Sequence, residues 1–331
     1  MRRAFMMQKM KWLSMLLIVC LLTGCAASAK DAAPEETKAP ENGIPVLPEK
    51  LAKDENGIPM LKVYVTDDET VREMNIENYL LGVVAGEMKN DWPLEALKAQ
   101  AILARTFVLK FCEEKESKYP DADISTDIEE AQAYDATAVN ERVEQAVKDT
   151  EGMVLSHQGK LPYAWFHAHS GGMTAKAKEG LNWEKEEPEY TRVTAGMESE
   201  KAPQDAAAWE AAFAEAEFIA GLKKAGMNGI RKLDSVTVGD RGVSGRADTL
   251  LVNGTAVNAA NLRIALGSTK MRSTLLSSLK LENGQVKMAG KGYGHGVGMP
   301  QWGAYGMAEN GKRAEEIVTY YFQDVSVEKV W

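Results

Sequence analysis

The chain has 331 residues, a formal charge of −9, and 45% hydrophobic and 26% charged residues, enough apolar material for one large or two modest globular domains. That acidity excludes nucleic acid as an expected partner, because phosphate binding needs a basic footprint. With cysteine only at Cys20, Cys25 and Cys112, a zinc site built on paired cysteines is excluded as well.

Read in chain order, the basic residues Arg2, Arg3, Lys9 and Lys11 precede an apolar run over residues 12–22. That run is shorter than the roughly 20 residues of a spanning helix and suits a signal-peptide core. Residues 1–24 are therefore expected to be a leader, and what remains is still more acidic. Residues 26–59 are rich in Ala, Pro, Glu, Lys and Asp, so residues 25–59 are expected to form a flexible tether. A short duplication, Glu-Asn-Gly-Ile-Pro, lies at 41–45 and 55–59.

Residues 61–65 alternate as a strand, and Ile76, Leu80, Val83 and Val84 share a helical stripe within residues 71–88. Asp91-Trp92-Pro93 breaks that helix, and Leu94, Leu97, Ala101, Ala104, Val108 and Phe111 mark a second, of about five turns. An acidic loop over 119–134 and a surface helix over 139–150 follow. Residues 153–157 and 161–167 suggest a strand pair turning at Gln158-Gly159-Lys160. Residues 206–224 suggest a helix, with Trp209, Phe213 and Ala216 on one stripe. From about 230 to 285, short β-rich segments alternate with turn signals and suggest an inserted β-rich subdomain. A glycine-dense loop, 292–298, leads to two helices, 301–308 and 314–322. Helices and antiparallel strands mix without regular alternation, so the expected fold class is α+β, with residues 60–331 as the functional domain.

Several motifs for common chemistries are missing. The loop at 292–298 lacks the third glycine of a dinucleotide fingerprint and no Gly-Lys-Ser/Thr follows, and no His-Glu-x-x-His occurs. His167 and His169 sit at i and i+2 on an expected strand and, with His295, could ligate one metal; they could equally hydrogen-bond a polar ligand. Ser170 lies in His-Ser-Gly-Gly, without the nucleophile elbow, which fits a structural hydroxyl in a tight turn. Cys112 reads as a buried helix residue. Glu87 ends an apolar helical stripe, where its pKa should rise enough to deliver a proton near neutral pH; the same position also fits a solvent-exposed helix end. Arg105, among small and apolar helix residues, fits either a charge paired across a cleft or a surface arginine.

Ordered blocks along residues 71–330 resemble the stage II sporulation protein D (SpoIID/LytB) family. They are Tyr-Leu-Leu-Gly-Val-Val-Ala-Gly-Glu-Met at 79–88, Trp-Pro-Leu-Glu-Ala-Leu-Lys-Ala-Gln-Ala at 92–101, Ala-Arg-Thr at 104–106 and Gln-Ala-Tyr at 132–134. Phe-His at 166–167, Ser-Gly-Gly-Met-Thr at 170–174, Gly-Tyr-Gly-His-Gly-Val-Gly-Met at 292–299 and Gln-Trp-Gly-Ala at 301–304 follow, with weaker matches in Ser-Gly-Arg at 244–246 and Arg-Ser-Thr at 272–274.

The resemblance implies a lytic transglycosylase acting on peptidoglycan glycan strands stripped of stem peptides, with Glu87 as single acid and base. It implies substrate-binding roles for Arg105, Gln132, Tyr134, His167, Ser170, Tyr293, His295 and Gln301, and no cofactor. Some relatives carry a cysteine/histidine zinc cluster just before Gln-Ala-Tyr; residues 121–131 hold neither ligand type, so no zinc is expected there. His169 stands where a small hydroxyl residue is expected, which leaves the metal alternative open. Leu22-Thr23-Gly24-Cys25 resembles a lipobox, implying lipid on Cys25 and an extracytoplasmic protein on the outer face of the cytoplasmic membrane; a plain signal peptide or a short anchor helix are the alternatives. Other cell-wall hydrolases are the expected protein partners. A glycan-binding, amidase-enhancing protein and a zinc-dependent amidase or endopeptidase are the competing functions.

Overall fold

A computed structural model describes residues 43–331, so the expected leader and Cys25 lie outside the described residues. The described chain mixes helices with small, mostly antiparallel sheets, an α+β fold as expected. Residues 43–59 differ at their distal end from a flexible tether. Leu51 and Ile58 are buried in the core, and Asp54 accepts hydrogen bonds from the backbone of Asn56 and Ile58 to shape a turn.

Strand β1 (Met60–Val65) pairs antiparallel with β2 (Thr70–Asn75), and Asn75 then caps helix α1 (Ile76–Glu87) by accepting from the Asn78 N–H. After the Trp-Pro break comes α2 (Leu94–Glu114), whose alanines at 96, 99, 101 and 104 let neighbours approach it closely. It packs against α1, α3 (Glu141–Asp149), β4 (Met153–Ser156) and two C-terminal helices, and is the axis of the first core. The acidic stretch between α2 and α3 contributes β3 (Ile124–Ser125), parallel to β1.

The expected hairpin after residue 153 forms only at its turn, where His157 and Lys160 bridge. The ladder of β4 goes instead to a C-terminal strand. The segment 161–165 stays irregular until β5 (Phe166–His167). After α4 (Ala177–Leu181) and α5 (Gln204–Ala207), the expected helix is split into β6 (Ala208–Ala214) and α6 (Glu215–Lys224). Trp209 and Phe213 are four apart, a spacing that a strand face satisfies as well as a helix face, and pairing with a later strand decided between them.

The region expected to be β-rich contains β7 (Val236–Val238), β8 (Thr249–Val252) and β9 (Thr255–Asn258), followed by helix α7 (Ala259–Leu266). Then β10 (Leu276–Glu282) and β11 (Gln285–Lys291) form a hairpin, and β6 adds to β11. Its buried residues, from Trp209 to Met288, form a second hydrophobic core. The inserted lobe is thus wider than residues 230–285 and includes helices. The chain then returns to the first core through β12 (Met299–Pro300), α8 (Gln301–Glu309), α9 (Ala314–Tyr321) and β13 (Ser326–Lys329), the partner of β4. Among the described residues no helix is long and apolar enough to cross a membrane.

Candidate active site

Three elements meet where the first core opens. Helix α1 ends at Glu87, β5 runs parallel to β12 with Pro300 opposite His167, and Gln301 begins α8 one residue later. Trp92, just past α1, packs its ring 4.4 Å from that of Trp302, which holds the start of α8 against the end of α1. The resulting cleft, of about 450 Å³, is lined by Glu87, Gln132, His167, Tyr293, His295 and Gln301, with Phe107, Ile128, Ala131, Ala164, Trp165 and Phe166 as its apolar wall.

Glu87 is the acidic residue among those lining the cleft, and its partners are neutral. Its carboxylate accepts the Ala133 N–H at 2.7 Å and the Gln301 side-chain N–H at 3.2 Å, while the same Gln301 nitrogen donates to the Glu87 carbonyl at 3.1 Å. Burial raises its pKa above the ordinary 4.5, and the two hydrogen bonds oppose that shift. The C-terminal end of α1 adds to the penalty on the anion, since the helix dipole is negative there.

The Ala133 donor is available because α1 carries glycine at 82 and 86 on one face. A Cβ at Gly86 would lie 2.7 Å from the Tyr134 nitrogen, and one at Gly82 would lie 2.3 Å from the Tyr134 ring. The segment 133–135 therefore lies directly on the helix, anchored by the Asp135 N–H on the Gly82 carbonyl.

The two cleft histidines are held neutral. His167 Nδ1 donates to the Val297 carbonyl at 3.1 Å, so its Nε2 is an acceptor; that atom is buried and has no partner. Burial, with His295 and Arg246 nearby, keeps His167 well below the usual imidazole pKa. His295 Nδ1 accepts the Val297 N–H at 3.0 Å. Burial and then Arg263 bring its pKa down to about 3. With Nδ1 committed to the Val297 N–H, His295 has only Nε2 to offer a ligand. His169 itself accepts the Gly171 N–H. Among the described residues no group of three or more His, Cys, Asp or Glu side chains is arranged to hold a metal ion.

The alternating glycines 292, 294, 296 and 298 all have positive φ, and they serve close packing inside the protein. A Cβ at Gly294 would lie 2.6 Å from that of His167, and one at Gly296 would lie 2.4 Å from the Arg246 guanidinium. Of these four glycines only Gly294 lines the cleft, so any approach of this backbone to a ligand is confined to it.

Three of the expected binding residues lie elsewhere. Arg105 is fully buried on α2 and forms a two-pronged ion pair with Glu77, at 2.9 and 2.5 Å, while also donating to the Met153 carbonyl at 3.0 Å. It braces the far end of α1 and does not line the cleft. Tyr134 stacks on Tyr79 and pins the 133–135 segment. Ser170 is fully buried; its hydroxyl donates to Glu198 and its carbonyl accepts from Arg246 at 2.6 Å, a structural role. Cys112 is buried too, with its thiol pushed up to about 12, which suits packing and not nucleophilic attack.

Sequence reasoning missed the Ala133 donor and the apolar wall. A signal for Trp165 was present, since the same i, i+2 reasoning that paired His167 with His169 also places residue 165 on that face of an extended segment.

The stage II sporulation protein (SpoIID) family profile matches residues 64–157, and a domain of unknown function matches 174–298, close to the inserted lobe. The chain is 30% identical over 278 residues to stage II sporulation protein D of Bacillus amyloliquefaciens, covering 80% of this chain and 77% of that one. An uncharacterized protein of Brachyspira hyodysenteriae is 32% identical over 259 residues, 78% of this chain and 67% of its own. An amidase enhancer of Bacillus subtilis (strain 168) is 27% identical over 286 residues, 73% of this chain and 39% of its own.

Proposed function

Because the chain belongs to the stage II sporulation protein D family, a family of cell-wall-related sporulation proteins, we propose that it is a peptidoglycan lytic transglycosylase with Glu87 as its acid and base. The observation that carries this reading is a single carboxyl in a largely apolar cleft, held by two neutral donors with its pKa raised by burial. Protonated Glu87 gives its proton to the glycosidic oxygen between N-acetylmuramic acid and N-acetylglucosamine as the muramic C1 gains oxocarbenium character. The resulting carboxylate takes the proton from the muramic C6 hydroxyl while that oxygen bonds to C1. The products are a free N-acetylglucosamine end and an anhydro-muramic end. Hydrolytic glycosidases generally need a second carboxyl to activate water or attack the sugar; ring closure by the substrate's own hydroxyl does not.

Neutral His167 suits acceptance of a sugar hydroxyl, and Tyr293, with Arg272 5.0 Å from its ring centre, offers an aromatic face at the cleft. Stem-peptide-free strands as substrate, export, and lipid on Cys25 as membrane anchor belong to the same proposal, as do other cell-wall hydrolases as partners. The test is digestion of stem-peptide-free glycan followed by mass spectrometry. Anhydro-muramic ends should form with the wild type and vanish with Glu87→Gln. Their absence from the wild-type digest, with strand binding retained, would favour a glycan-binding protein like the relative named as an amidase enhancer.

A further inference from the structure

We propose that Gln132 reads the acetamido group of the sugar bound beside Glu87, so that the cleft accepts 2-acetamido glycans and rejects strands whose sugars carry a 2-hydroxyl in place of the acetamido group. This rests on the glycan-cleaving reading above. Gln132 immediately precedes the Ala133 N–H that holds Glu87, and it lines the same cleft. It is 2% exposed, and neither its side-chain oxygen nor its nitrogen has a hydrogen-bond partner. Buried polar atoms are nearly always paired, so an unpaired carboxamide at a cleft wall calls for a ligand group of complementary pattern.

An acetamido group has that pattern. Its N–H matches the Gln132 carbonyl oxygen, its carbonyl matches the Gln132 amide N–H, and its methyl suits the apolar side chains of Ile128, Ala131, Ala164 and Phe166 in the same wall. A 2-hydroxyl in its place makes one hydrogen bond at most with each amide edge and leaves the apolar pocket unfilled. The other unpaired polar atom of the cleft, His167 Nε2, is an acceptor alone and suits a hydroxyl, not an amide. Gln100 is also buried and unpaired but does not line the cleft, and nothing is assigned to it.

The test measures binding without turnover. Full-length Glu87→Gln protein is titrated calorimetrically with tetra-N-acetylchitotetraose and with cellotetraose, which keeps the pyranose backbone and carries a 2-hydroxyl in place of each acetamido group. The acetamido oligomer should bind at least about tenfold tighter, the scale of one well-made hydrogen-bonded pair. Adding Gln132→Leu, or Gln132→Met should the first variant not fold, should bring the ratio close to one by weakening the acetamido ligand alone. A ratio that survives both substitutions overturns the proposal, as does equal binding of the two oligomers, or binding of neither, by the parent. Equal binding together with anhydro-muramic products from the wild type removes Gln132's role and leaves the cleavage reading intact. Selective binding lost with Gln132, without any cleavage by the wild type, supports Gln132's role and removes the cleavage reading.

Discussion

Helix α1 carries a glutamate at each end, and the two are treated in opposite ways. Glu77, in the first turn, faces the guanidinium of Arg105 through two hydrogen bonds and accepts a third from the Gly152 N–H at 3.1 Å. Glu87, in the last turn, meets only an amide N–H and a carboxamide. The helix dipole favours an anion at the first position and opposes it at the second. One end is built to hold a charge as part of the fold, and the other to make a charge costly to form. Glycines 82 and 86, between them, let the 133–135 segment reach the second end.

If Glu87 is the group that gives and takes the proton, Glu87→Gln should show the largest effect, a loss of turnover on the order of a thousandfold with glycan binding kept. Its stability should change in the other direction. Burial raises the Glu87 pKa above 4.5, so the folded chain holds that proton more tightly than the unfolded chain. This contribution to stability is therefore largest at low pH and is lost as pH rises from 4.5 through the raised value. Glu87→Gln removes that loss, so its melting temperature should match or exceed the wild type's near neutrality, with the gap closing as pH falls below 4.5.

The first-turn glutamate should respond in reverse. Arg105→Met leaves Glu77 partly buried without its cation and should cost about 3–5 kcal/mol of stability by thermal or denaturant unfolding. The Arg105→Met/Glu77→Gln double variant should recover part of it, and folded protein should retain turnover. A cleft role for Arg105 would instead show as lost turnover at unchanged stability. Gly86→Ala is the intermediate case. Its Cβ pushes on the Tyr134 backbone and moves the Ala133 donor, costing about 1–3 kcal/mol and lowering turnover together. Gln301→Leu should have the smallest effect. It removes a hydrogen bond that lowers the Glu87 pKa, so the alkaline limb of the pH–rate profile should move to higher pH, with turnover falling about tenfold.

Much of this arrangement could be read before the fold was known. Helix α2 was legible because its apolar period runs unbroken over five turns, and Glu87 because it ends an apolar stripe just before a Trp-Pro break. The exchange of Arg105 from cleft to brace was not legible, since its partner lies 28 residues away and no local pattern shows which side of α2 faces it. Strand β6 was misread because alanine-rich sequence with aromatics four apart satisfies both periods, and only pairing with β11 distinguishes them. Ser170 and Tyr134 carry the motif signature of a site yet work inside the protein, tying loops to Glu198 and Tyr79. The Ala133 donor left no trace beyond the two helix glycines, whose purpose appears only with the segment that lies on them.

The most direct test of the central claim is digestion of stem-peptide-free glycan in water enriched in heavy oxygen. Attack by the muramic C6 hydroxyl leaves new muramic ends that are anhydro and carry no solvent oxygen, and none should form with Glu87→Gln. New reducing ends carrying the heavy oxygen would show that water is the nucleophile and would contradict the single-carboxyl account of Glu87.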